Sequence, residues 1–310
     1  MLKTKPLRID YYRVINLTPK KDEAGNEYVV ENFLNLSDFL NKLTEIDVVQ
    51  RNTKNKNGEI IRFQVVKEKE CVKITNTDGS KYKYWELEIL KERNSSVPGV
   101  ATKAGEYNPI DIAEGDLLSE DISVLYDPQT CVMAVLRKRE GLSPGGIAIA
   151  LTNFLSGSDV ELRPLVSKQA LEQFTDDMIY RSIEVSMIND LSPSEGNSLL
   201  GVLDDSNELK AQTINLRLSV GKTGSRNQSM SFGAIMTKVK SLVSSPNVTK
   251  LKLSAKLSKD KKAETYDILE QREHDVYYME FSKETPITHE RVFSVIEENY
   301  FKKIEKFKVK

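Results

Sequence analysis

Cysteine and histidine are scarce in this chain. Its 310 residues include two of each: Cys71 and Cys131, His274 and His289. With no CxxC spacing, the cysteines argue against a disulfide framework and read as reduced thiols in a cytoplasm. Structural zinc needs four Cys/His ligands at short spacing, and these are missing. His274 sits in the charged stretch Arg272-Glu273-His274-Asp275, and His289 follows the helix-capping Thr288, where it is expected to be exposed. Neither belongs to a nucleophile arrangement of catalytic type. The sequence calls for no metal and no cofactor, and it reads as non-enzymatic.

Long apolar runs are also missing. The longest, Gly145 to Leu155, is interrupted by Thr152 and Asn153, against the ~20 residues a membrane span needs. No apolar signal core follows the basic residues of Met1 to Asp10, so a cytoplasmic location is expected. The composition, 39% hydrophobic and 29% charged, is that of a globular protein rather than a disordered one. The length suits one large or two medium domains.

Strand-like and helix-like patterns interleave. Residues 8–16, 60–66, 71–75 and 82–90 are rich in β-branched and aromatic types and predict strands. Ser37 offers a helix start, with Phe39, Leu40, Leu43 and Ile46 on one face. Residues 93–108, with Pro98-Gly99, read as a long loop. A strand pair around Asp127-Pro128 precedes a helix opening at Ser143-Pro144 and running to about Leu155. Further on come strands at 160–166, 178–188, 212–220 and 248–258, with one or two more in 266–281. Ser192-Pro193-Ser194-Glu195 is a capping box. Helices follow on Phe232–Val243 and after Thr288. The pattern predicts an α+β protein of two domains, with mixed or antiparallel sheets and packed helices. The small polar turn Gly157-Ser158-Asp159 suggests domains at 1–157 and 158–310.

Charge is unevenly spread. From Glu172 to Glu208, nine acidic residues face Arg181 alone, a net of −8. From Lys210 to Lys262, twelve basic residues face Asp260 alone, a net of +11. The whole-chain charge of −1 hides this dipole. In the strand at 248–258, Lys250, Lys252, Ser254 and Lys256 alternate with Leu251, Leu253 and Ala255. Same-face residues are thus spaced by roughly 6.7 Å, twice the strand rise, broadly the separation of phosphates along one nucleic-acid strand. Arg217 lies on the polar side of its own strand. Between these strands, Gly221 to Ser229 supplies Lys222, Arg226, hydroxyls and amides, groups that hold phosphates without reading bases. The Gly221-Lys222-Thr223 triplet is no P-loop, because the position of the motif's first glycine is Leu216. Lys238 and Lys240 extend the basic set onto a helix. The candidate DNA-binding residues are therefore Arg217, Lys222, Arg226, Lys238, Lys240, Lys250, Lys252 and Lys256.

Other readings compete. Lysines on an edge strand also guard against aggregation, and the basic face could meet an acidic protein or lipid. The acidic stretch could fold back on the basic one. Asp111, Glu114, Asp116, Glu120 and Asp121 could hold Mg²⁺ for a nuclease. No strand-borne Glu-x-Lys accompanies them, and a solvated acidic turn explains them more simply.

The segments Leu34-Asn35-Leu36-Ser37 and Phe39-Leu40-Asn41 resemble the first helix entry of the RexA-like phage-exclusion proteins. Leu151-Thr152, Phe154-Leu155, Gly157, Val160, Leu162 and Pro164-Leu165 resemble the same family in order and place. So does the basic strand–helix–strand of 212–258, with Ser244-Ser245-Pro246 between its last two elements. The resemblance spans about residues 30 to 310 at low identity. It implies a two-domain α+β homodimer, related in fold to the recombination-associated protein RdgC, that binds duplex DNA without sequence preference. It further implies a role in exclusion of other phages by a temperate phage, beside a membrane partner of RexB type.

Overall fold

The computed structural model describes residues 2–21, 27–55, 58–76, 78–92, 99–101, 103, 107–110, 112–113, 116–138, 141–166, 171–188, 213–221, 228–243, 245 and 248–308. The fold is α+β. Its strands are β1 (Lys3–Lys21), β2 (Glu27–Phe33), β3 (Asn52–Lys54), β4 (Ile60–Thr75), β5 (Lys81–Glu92), β6 (Gly99–Ala101), β7 (Tyr107–Pro109), β8 (Ser119–Asp127), β9 (Val132–Arg137), β10 (Asp159–Pro164), β11 (Ile179–Ile188), β12 (Thr213–Ser219), β13 (Val248–Lys256), β14 (Glu264–Asp267) and β15 (His274–Phe281). The helices are α1 (Ser37–Glu45), α2 (Pro144–Phe154), α3 (Phe232–Val243) and α4 (His289–Phe307).

Two compact units divide the chain, and neither is continuous. The first comprises Met1–Thr18, Glu31–Leu162 and His274–Lys310; the second comprises Pro19–Val30 and Arg163–Glu273. This differs from a single boundary near Gly157. Gly157, at φ +91°, only closes α2 before β10, a position glycine takes without strain. β10 then joins the first unit's sheet. The chain leaves that unit after Leu162 and re-enters it at His274, because β15 pairs with β1 from Asp10↔His274 to Lys3↔Phe281.

The first unit's sheet runs β10-β1-β9-β8-β5-β4-β3, with β15 beside the first half of β1. Both of its faces are covered, so its central strands are apolar almost throughout. Ile122 to Tyr126 of β8 and Val132 to Leu136 of β9 are all buried. One face packs Trp85, Leu87, Ile89, Val124 and Val135 against α1 and α2. On the other face lie Tyr11, Tyr82 and Tyr84, which meet Tyr300, Phe301 and Phe307 of α4 in ring contacts of 5.0–6.4 Å. Burying Val292, Phe293, Ile296, Tyr300, Ile304 and Phe307 of α4 is worth on the order of 10 kcal/mol before entropy is subtracted.

β4 is one strand where two were expected at 60–66 and 71–75, and it carries the charged run Lys67-Glu68-Lys69-Glu70 between them. The run survives inside a sheet because its charges find cross-strand partners. Lys81 meets Glu70 at 2.5 Å, Lys83 meets Glu68 at 2.7 Å, and Lys69 meets Glu86 at 3.5 Å. The expected loop at 93–108 contains the short antiparallel pair β6–β7.

The second unit is simpler. Its sheet runs β12-β11-β13-β14, each neighbouring pair antiparallel. One face packs Ile183, Val185, Leu251, Leu253 and Ala255 against Ile235, Met236, Val239, Leu242 and Val243 of α3. Arg272 donates hydrogen bonds to the carbonyls of Val243, Ser245 and Val248 at 3.1, 2.8 and 3.2 Å. It thereby satisfies the Val243 carbonyl at the end of α3, while the Ser245 N–H serves that of Leu242 at 3.1 Å. The capping box at Ser192 lies outside the described residues.

Candidate nucleic-acid interface

The side of the second sheet away from α3 carries the polar half of each strand's alternation. β12 contributes Asn215, Arg217 and Ser219; β11 contributes Ser182, Glu184 and Ser186; β13 contributes Lys250, Lys252, Ser254 and Lys256. Register places Glu184 between Arg217 on one side and Lys252 on the other. Ser186 likewise stands between Asn215 and Lys250, and its Oγ lies 2.5 Å from Asn215 Oδ1. Three cations, Lys250, Arg217 and Lys252, thus surround the Glu184 carboxylate, with Ser182 and Ser186 buried beside it, while Lys256 stands farther along β13 opposite Ile179. Neighbouring strands lie about 4.8 Å apart, so Arg217 on β12 stands roughly 10 Å from the lysine row of β13.

Glu184 is the residue that sequence reading left out of the site. Lys250 Nζ bonds its Oε1 at 2.5 Å. That hydrogen bond, then the charges of Lys250, Arg217 and Lys252, hold its carboxyl below the ordinary carboxylate range. Glu184 belongs to the acidic stretch 172–208, so at this position an acidic residue of that stretch does meet the basic face. Its alternation with Ile183 and Val185 placed it on the polar side. Only the cross-strand register shows that it is the centre of the basic face. Asp267, opposite Lys252 on β14, turns instead to accept the Leu269 N–H at 3.1 Å.

The structure brings together Arg217, Lys250, Lys252 and Lys256, but not the helix lysines. α3 covers the Leu251/Leu253 face, so Lys238 and Lys240, exposed on that helix, lie on the opposite side of the layer. Contiguity in sequence grouped them, and the packing of α3 separates them. Lys222 and Arg226 lie outside the described residues. Arg181 donates to the carbonyls of Gln228 and Gly221 at 2.8 and 3.4 Å.

Of the proposed metal-binding carboxylates, Asp111 and Glu114 lie outside the described residues, and Asp121 is paired with Lys138 at 2.6 Å. Among the described residues no three His, Cys, Asp or Glu side chains are grouped to hold a metal ion. His289 is buried rather than exposed. It opens α4 beneath the first sheet, with its Nδ1 2.8 Å from Ser123 Oγ and its Nε2 3.2 Å from Glu86 Oε1, out of line for a hydrogen bond. Ser123 and Glu86 come from β8 and β5, far away in sequence, which is why no local pattern announced this burial. Ser123 is fully buried, so a substrate carbonyl has no approach to its hydroxyl and the trio reads as packing. Cys131 is also buried, and desolvation pushes its thiol up, away from the reactive thiolate.

A model of a family of unknown function, DUF6731, matches residues 2–308. The chain belongs to that family. The match runs through both units, so this DUF6731 protein has its open basic face within the family's span. No curated protein matches the chain.

Proposed function

We propose that this protein binds double-stranded DNA without sequence preference through the open face of the second unit, with no enzymatic role. The observation that carries the reading is a sheet face free of α3, with Arg217, Lys250 and Lys252 around the Glu184 carboxylate and Lys256 farther along the same face of β13. Such a surface meets phosphates by charge and by hydroxyl and amide hydrogen bonds. A sheet face carrying long flexible cations has nothing rigid to insert into a groove, which favours backbone contact over base reading.

The setting proposed is phage exclusion in the cytoplasm, with the protein acting as a homodimeric clamp beside a membrane partner of RexB type. That part rests on the resemblance of the Leu34–Asn41 and Leu151–Leu165 segments to RexA-like proteins. No helix among the described residues is long and apolar enough to cross a membrane.

Gel shifts on unrelated duplexes test the binding. Four phosphate contacts predict a log–log salt slope near −3.6, or roughly a hundredfold loss of affinity from 50 to 200 mM salt. The double variant Lys250→Glu/Lys252→Glu is expected to abolish the shift at 100 mM salt while leaving the thermal midpoint in place. An unchanged shift in that variant would remove this face from the reading.

A further inference from the structure

β15 is paired with β1 along its whole length and has no partner strand on its other edge among the described residues. Natural edge strands are blunted by lysine, proline or bulges. β15 instead presents Val276, Tyr277 and Tyr278 at 49%, 41% and 66% exposure. α4 runs beside it and engages both ends. Arg291 donates to the Glu280 carbonyl at 2.8 Å, and Lys303 donates to the His274 carbonyl at 3.4 Å and meets the Asp275 carboxylate at 2.5 Å.

Those contacts set the phase of the edge. In an antiparallel ladder, outward-pointing main-chain groups recur at every second residue. The carbonyls of His274 and Glu280 face α4 side chains, so Val276 and Tyr278, in the same phase, turn their N–H and C=O groups away from β1. Between strand and helix lies a groove of about 590 Å³, walled by Tyr277, Tyr278 and Glu280 on one side and Arg291, Ser294 and Val295 on the other. An open strand edge is satisfied by one kind of ligand, an extended polypeptide. The groove beside it takes alternate side chains of that added strand. Glu280 supplies a charge criterion, because its carboxylate is exposed and has no cation partner among the described residues. Arg291 does not serve it, being spent on the carbonyls of Glu280, Thr285 and Pro286.

We propose that β15 and α4 form a docking groove for an extended segment of a partner protein, added as a strand beside Val276–Glu280. The segment has apolar residues at alternate positions and one lysine or arginine that meets Glu280. This site lies in the first unit and does not depend on the DNA reading of the second.

The test uses the full chain and a randomised library of end-blocked, fluorescein-labelled peptides of about nine residues, read by anisotropy. Selected peptides are expected to alternate aliphatic or aromatic residues and to fix Lys or Arg at one position. Backbone N-methylation of the best peptide should weaken binding about tenfold or more in one alternate phase and leave the other phase unaffected. Glu280→Lys should switch the fixed position to Asp or Glu. Tyr278→Lys should abolish binding without moving the thermal midpoint. Binding that is blind to methylation phase, or a charge preference unmoved by Glu280→Lys, would overturn the proposal. So would failure of any peptide to bind while Tyr278→Lys dissolves a concentration-dependent dimer, which would make a second copy of this chain the occupant.

Discussion

The two units treat one design in opposite ways. In each, an antiparallel sheet carries an apolar row on one face and a row with polar members on the other. In the first unit that second row is roofed by α4. Tyr82, Tyr84, Glu86, Ser123 and Asp127 are all buried there, and most have named partners. Asp127 accepts hydrogen bonds from Tyr82 at 2.7 Å, Tyr300 at 2.5 Å, Thr130 at 2.8 Å and the Gln129 N–H at 2.9 Å. Tyr84 donates to Glu297 at 2.6 Å. Burial, reinforced by the neighbouring Asp127, raises the phenols of Tyr82 and Tyr300 well above their ordinary value, keeping both as donors. In the second unit the helix sits on the other side, and Arg217 stays exposed while Glu184, Lys250 and Lys252 stay half-exposed. A covered polar row must match every donor and acceptor, because an unmet buried group is costly. An open row has no such obligation, so it can hold charge of one sign in excess and offer that excess to a ligand.

Removing the centre of the covered network should have the largest effect. Asp127→Ala removes the acceptor shared by three hydroxyls and one N–H and leaves Thr130 and Tyr300 only each other, at a cost of about 3–5 kcal/mol, read from chemical denaturation of the whole chain. A loss under 1 kcal/mol would show that the network is dispensable and erase the contrast between the units. On the open face, Glu184→Gln should instead strengthen DNA binding by roughly three- to tenfold, about one counterion's worth, with stability scarcely changed. The sign for pH follows from the same residue. In free protein its carboxyl is held low by Lys250 and its neighbours; bound phosphates oppose that effect and raise it. Binding therefore takes up a proton, and affinity rises as pH falls through the lowered carboxylate range. Fluorescence titrations at several pH values should show this rise in the wild type and a flat profile in Glu184→Gln. The smallest effect is expected from Lys238→Ala/Lys240→Ala, less than about threefold in affinity, since α3 holds both residues on the far side of the layer. A loss equal to that of the strand lysines would mean that DNA wraps the unit rather than resting on one face.

The parts readable from sequence were those governed by short periods. Alternation marked β11, β12 and β13 with their polar sides, and helical spacing marked α1, α3 and α4. The Asp127-Pro128 turn between β8 and β9 was equally plain. What escaped depends on which strand lies beside which. Nothing local to His274–Phe281 says that it returns to Lys3–Asp10. Hence the last helix was read with the segment preceding it rather than with the sheet it covers. The same blindness to register hid Glu184 at the heart of the basic face and hid Ser123 and Glu86 around His289. Lys238 and Lys240 show the converse, in which neighbours in sequence end on opposite sides of one layer.

The return of β15 and α4 to the first unit also sets an order of events during synthesis. Tyr11 waits for Asp275 and Tyr300, and the tyrosine-lined side of β5, β8 and β9, with its buried polar groups, stays unroofed until residues 274–307 have been made. The second unit, by contrast, has its entire residue set in hand by Glu273. On the ribosome the later-starting unit is therefore the first able to close, while the earlier one holds an exposed half-core for the time needed to translate it. A pause or premature stop after Glu273 would release a chain whose basic face is complete and whose first sheet is an open invitation to aggregate.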